Sequence, residues 1–157
     1  MVTNNIVLEN ARIGFRNFEG REGRFNAAGA RNFCVFLNTD QAQALEKEGW
    51  AIRWTHPNDP DEEPTGFLPV SVKYGYIPPK IALVKKGGLP TELGENEVSM
   101  LDKAEIENVD LVIRPYNWEV NGHAGVKAYL KSMYVKLVED PLAAKYYNDV
   151  PAEDAPW

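Results

Sequence analysis

Residues 10–33 hold five of the chain's seven arginines, Arg12, Arg16, Arg21, Arg24 and Arg31, interleaved with Phe15, Phe18, Phe25 and Phe33 and spaced by Gly14, Gly20, Gly23 and Gly29. A guanidinium is a fork of donors that fits a phosphate, and an aromatic ring offers a flat face to a base. Alternating on one segment, the two could follow a polyanionic strand and stack on its bases. The other reading of the segment is a solvated loop whose arginines pair with Glu19 and Glu22.

A second set of the same residue types lies late in the chain. Two strand-like runs, 109–120 and 125–137, flank Asn121-Gly122, a strong hairpin signal. With an even number of turn residues, Arg114, Tyr116 and Trp118 share a face with Lys127, Tyr129 and Lys131. The opposite face, Leu111, Ile113, Val126, Ala128 and Leu130, is then the core side. Burial of the tyrosines and the tryptophan against a neighbouring element remains open. Beyond Lys131 the apolar residues Met133, Val135 and Leu137 change parity, so a bulge or a strong bend is expected near Lys131 to Met133.

Other chemistries find little support. Gly20-Arg-Glu-Gly-Arg24 lacks the Gly-Lys-Ser/Thr ending that seats a nucleotide and its metal. The acids Asp59, Asp61, Glu62 and Glu63 lack calcium-loop spacing and read as a solvated loop. No lysine is preceded two residues earlier by an acid, so the acid-x-lysine pattern of metal-dependent nucleases is missing. Cys34, with only His56 and His123 beside it, makes neither an internal disulfide nor an ordinary zinc site. No nucleophile elbow is present. A binding protein without cofactor is expected rather than an enzyme, although a carboxylate metal site of another pattern stays open.

These side chains need elements to carry them. Alternation over 6–16 predicts a first strand with Ala11, Ile13 and Phe15 on one face and Arg12, Gly14 and Arg16 on the other. Phe15 and Phe33 then belong to the core. Residues 17–30 read as a long loop, its mobile part formed by Phe18, Arg21, Arg24 and Phe25. Further strands are expected at 31–37, 50–55, 67–74 and 80–85. A short helix at 41–48 is capped by Thr39 or Asp40 and stopped by Gly49. Residues 56–66 and 87–99 are loop, with a helical turn within 100–107. The fold class is all-β with one or two short helices: an OB-fold-like, partly open antiparallel barrel with elaborated loops. Periodicity alone does not separate it from a sandwich.

At 157 residues one domain suffices. The formal charge of -6 hides an uneven distribution. Residues 139–157 contain five acids against Lys145, whereas residues 10–33 carry five arginines against two acids. The division expected is a domain over 1–138 and an acidic tail over 139–157. The tail ends on Trp157 close to Asp149, Glu153 and Asp154. That combination suits capture by a basic, apolar pocket on a partner, against the plainer reading of a disordered solubilising end. No apolar run is long enough to span a bilayer and no leader is evident, so a soluble, cytoplasmic protein without membrane contact is expected.

The basic arm, the pair Ile113-Arg-Pro-Tyr-Asn-Trp118 and Val126-Lys-Ala-Tyr-Leu-Lys-Ser-Met-Tyr134, and the acidic tail with its aromatic end together resemble bacteriophage single-stranded DNA-binding proteins of the OB-fold type. The resemblance implies a barrel that binds single-stranded DNA without strong sequence preference during phage DNA replication, recombination or repair, in the host cytoplasm. It also implies a tail that recruits replication or recombination proteins and can occupy the DNA cleft, with Asp149, Glu153, Asp154 and Trp157 matching the tail pattern. A homodimer is left open. Two rival readings are a β-rich structural or interaction module of a virus and a metal-dependent nucleic-acid enzyme.

Overall fold

The computed structural model describes residues 1–24, 26–75, 77–85 and 88–138. Phe25 and the expected tail over 139–157, with Asp149, Glu153, Asp154 and Trp157, lie outside the described residues. The elements run β1 (Ile6–Ala11), β2 (Ile13–Asn17), β3 (Arg31–Leu37), α1 (Thr39–Glu48), β4 (Arg53–Trp54), β5 (Gly66–Val72), β6 (Lys80–Val84), β7 (Thr91–Leu93), a 3-10 turn (Val98–Asp102), β8 (Ile106–Val120) and β9 (His123–Leu137).

The strand path is β1-β8-β9-β5-β3-β2. Because only Arg12 separates β1 from β2, this path returns to its own start through the chain itself. Arg12 carries the joint, its carbonyl accepting from the Phe36 amide at 2.9 Å. The result is an OB-like, partly open barrel. The sheet is mixed, however, and not the wholly antiparallel one expected: β9 pairs in parallel with β5 and, further along, with β6. Its 15 residues are long enough to serve both strands in turn.

Alternation explains the core. Phe33, Val35 and Leu37 of β3, Leu68, Val70 and Val72 of β5, and Leu111, Ile113, Val126, Ala128 and Leu130 of the hairpin are all buried. The single first strand expected over 6–16 is instead two, paired with β8 and β3 respectively. Left-handed backbone at Asn10 (φ 52°) and Phe15 (φ 48°) breaks the alternation. Phe15 consequently leaves the core and is 67% exposed, while Phe33 is fully buried as expected.

Helix α1 is capped one residue earlier than expected. The Asn38 side chain accepts from the Gln41 amide and the Gln41 side chain returns to the cap, a reciprocal box that neither Thr39 nor Asp40 supplies. Gly49 ends the helix as expected. The strand expected over 50–55 shrinks to two residues, because Trp50 turns inward beneath the hairpin and bridges Val126.

Candidate nucleic-acid interface

The hairpin forms as its sequence dictates. Asn121 (φ 52°) and Gly122 (φ 79°) make a two-residue turn with both residues left-handed, and the register follows from it. Arg114 faces Tyr129, Tyr116 faces Lys127 and Trp118 faces Gly125. These side chains therefore share one face. Lys131 is the extra residue of a bulge, skipped between the pairs Val112–Ser132 and Ile113–Leu130, and it is exposed. That bulge restores Met133 and Val135 to the core.

On this face Tyr116 and Tyr129 stack with centroids 5.3 Å apart. Three cations surround Tyr129: the Arg114 guanidinium at 4.9 Å from its centroid, and the Lys127 and Lys73 ammoniums at 5.6 and 5.8 Å. At these distances the ring quadrupole holds positive charge at its face. Tyr116 and Trp118 remain substantially exposed. The Trp118 ring lies on Gly125, where an added Cβ would come within 2.8 Å of it. An aromatic surface bordered by fixed positive charge can stack bases and neutralise phosphates.

Hydrogen bonds tie the described residues of the arm at several points. The Asn17 carboxamide accepts from the amides of Gly20 and Arg21, Asn26 donates to the carbonyls of Arg21, Ala27 and Ala30, and Gly29 donates to the Gly20 carbonyl. The Asp102 carboxylate accepts from the amides of Phe18 and Glu19. Phe18, expected on the surface, is fully buried and stacked on Phe33 at 5.2 Å, which removes it from any contact face.

The arginines divide accordingly. Arg16 is half-buried, with its Nη1 donating to the carbonyls of Leu101 at 2.6 Å and Ala104 at 2.7 Å. Its charge holds the 3-10 turn in place. Arg31 donates from Nε to the Phe18 carbonyl, pairs with Glu95 at 3.1 Å and lies over Tyr74. Both are held by the fold; Arg12, Arg21 and Arg24 are exposed. Arg21 is 3.6 Å from Glu19. A cleft of about 630 Å³ brings the arm, through Asn26, Gly29 and Arg31, against Ser71, Lys73 and Lys127. Arm and hairpin thus meet across one opening.

The sequence reading missed a second aromatic group. Phe15, Phe36 and Phe67 pack together outside the barrel, with centroid separations of 6.2, 5.7 and 6.3 Å. Arg12 sits over Phe36 at 5.8 Å. Parity was the available signal: Phe36 alternates with Val35 and Leu37, and Phe67 with Leu68, so each points outward. Lys73 was missed because nothing local separates it from any other exposed lysine.

Among the described residues no three histidine, cysteine, aspartate or glutamate side chains converge as metal ligands, and no helix is long and apolar enough to cross a membrane. The family model described as "Putative phage ssDNA-binding domain" matches residues 1–156. The chain belongs to this family. Solved structures agree on the fold. The single-stranded DNA-binding protein from bacteriophage Enc34 with a C-terminal truncation superposes with a TM-score of 0.56 at 16% identity, covering 87% of each chain. The same protein in complex with single-stranded DNA gives 0.56 at 16% identity over 87% of this chain and 88% of the other. A further structure of the single-stranded DNA-binding protein from bacteriophage Enc34 gives 0.54 at 15% identity over 96% of this chain and 88% of the other. A search of curated proteins returned no match.

Proposed function

We propose that this protein binds single-stranded DNA without sequence preference and performs no chemistry on it. The observation that carries the reading is the Tyr116–Tyr129 stack with Arg114, Lys127 and Lys73 around it, of which Lys127 and Lys73 also line the cleft bordered by the arm. Stacking is tolerant of sequence because every base has a π-face, and the cations recognise a backbone common to all. OB barrels bind oligonucleotides on the face of their second and third strands and on the loops after the first and fourth. Here those are β3 with β5, the arm, and the β8–β9 turn. Membership of a phage single-stranded DNA-binding family, and the likeness to a phage protein solved with single-stranded DNA, support the same reading.

The contact set consists of Arg114, Tyr116, Trp118, Lys127, Tyr129 and Lys131 on the hairpin with Arg12, Arg21 and Arg24 on the arm side. Arg16 and Arg31 support the arm from within. Residues 1–138 form the binding domain and 139–157 a tail that recruits replication or recombination proteins during phage DNA metabolism.

Titration with oligo-dT tests the reading. Trp118, exposed on the hairpin face, should be quenched on binding. Affinity should fall with salt at a log-log slope of about -0.7 per phosphate neutralised. Tyr129→Ala should lose about 1 to 3 kcal/mol of binding, the range for one stacked base. Absence of both quenching and a mobility change at low salt would leave the chain as an interaction module.

A further inference from the structure

We propose that Glu95 is a resident counter-ion of the cleft: its carboxylate holds the place on Arg31 that a phosphate of the bound strand takes, so binding exchanges one anion for the other. This rests on the single-stranded DNA reading above.

The cleft between the arm and the hairpin is basic. Arg31, Lys73 and Lys127 line it, and Lys73 and Lys127 also flank the Tyr129 ring. Among the described residues that line it, Glu95 is the sole acid. A carboxylate there repels the same backbone that the three cations attract.

Holding the loop does not account for it. Glu95 lies between β7 and the 3-10 turn, and this segment is closed without its side chain. The Glu97 carboxylate accepts from the Gly94 amide at 2.9 Å, and the Gly94 carbonyl accepts from the amides of Glu97 and Val98 at 2.9 and 3.2 Å. Leu93 and Val98, on either side, are buried and anchor the segment in the core. What the Glu95 side chain reaches is Arg31, whose Nη1 stands 3.1 Å from Oε1.

The two partners are held unequally. Arg31 Nε donates to the Phe18 carbonyl at 2.9 Å and its guanidinium lies over the Tyr74 ring at 5.3 Å, so it keeps its place when Glu95 leaves. Its side chain is 22% exposed, against 52% for Glu95. The carboxylate is the partner free to swing out. A guanidinium already fixed loses little freedom on meeting a phosphate, and its fork of donors suits one. An exposed ion pair is weak, so the exchange is easily driven. A lone phosphate must break the pair unaided, whereas a strand already on the tyrosine platform delivers its phosphate at high local concentration. Glu95 thereby favours strands over small anions.

Oligo-dT binding by fluorescence anisotropy across a salt series, alongside thermal unfolding, tests the exchange. Glu95→Gln keeps the shape of the side chain and removes its charge. Affinity should rise about two- to fivefold at low salt, the factor that an exposed ion pair represents, with a melting temperature within a few degrees of wild type. Glu92→Gln removes an equal charge from an exposed position on β7 outside the cleft, and solvent screening should make its effect clearly smaller. In an Arg31→Gln background the gain from Glu95→Gln should vanish, because it runs through that guanidinium. Where Arg31→Gln unfolds, the comparison with Glu92→Gln decides alone. Unchanged or weaker binding by Glu95→Gln overturns the proposal. So does an equal gain from Glu92→Gln, which would be net charge alone, or a gain that survives Arg31→Gln. Each of these leaves the DNA reading standing. If wild type itself fails to bind, that reading falls and the exchange with it.

Discussion

Cys34 stands on β3 between outward-facing Asn32 and Phe36, yet it is only 9% exposed. Burial pushes its thiol up to about 11, and the nearby Arg53 charge offsets part of that rise. The thiol is therefore protonated and unreactive at neutral pH. Alkylation of the folded protein should be slow below pH 9 and fast in denaturant. The sign for stability follows from linkage: the unfolded thiol ionises at about 9, so the folded state loses stability as pH rises from there toward 11. Tyr74, also raised by burial, adds to the loss in the same direction. Comparing denaturation midpoints of wild type and Cys34→Ser between pH 8 and 11 isolates the cysteine. Parallel curves would show that its burial is not felt.

Among elements, the hairpin and the arm teach opposite lessons. The hairpin was legible because Asn121-Gly122 fixes the turn, the turn fixes the register, and side-chain period fixes both faces. Even the bulge at Lys131 was written in the parity change of Met133, Val135 and Leu137. The arm was not legible, because what ties it down is distant in sequence. Phe18 and Glu19 are held by Asp102, and Arg16 by the carbonyls of Leu101 and Ala104. A glycine-spaced stretch looks loose until such partners are known. Phe18→Ala should thus act on stability, costing about 3 to 5 kcal/mol as a buried aromatic truncation. Urea unfolding checks this, and a change below about 1 kcal/mol would return Phe18 to the surface.

For the whole molecule, charge is distributed rather than merely summed. Acids outnumber bases overall, yet Arg12, Arg114, Lys73 and Lys127 each lie beside an aromatic ring on the outside of the barrel. Removing residues 139–157, with five acids and one lysine, takes the formal charge from -6 to -2 and lessens the repulsion of DNA. The truncated chain should bind oligo-dT as tightly as the full chain or tighter, most clearly at low salt where screening is weak. A clearly weaker truncated protein would count against a tail that competes with DNA, and loss of a pulled-down replication protein would speak for recruitment. By itself the sequence determined the β-rich class and the hairpin register, since these depend on period and turn residues. Only the tertiary structure decided that Phe15 faces out, that Phe18 faces in, and that Arg16 and Arg31 are held by the fold. Those outcomes depend on the left-handed residues Asn10 and Phe15 and on partners 13 to 88 positions away, which no local pattern encodes.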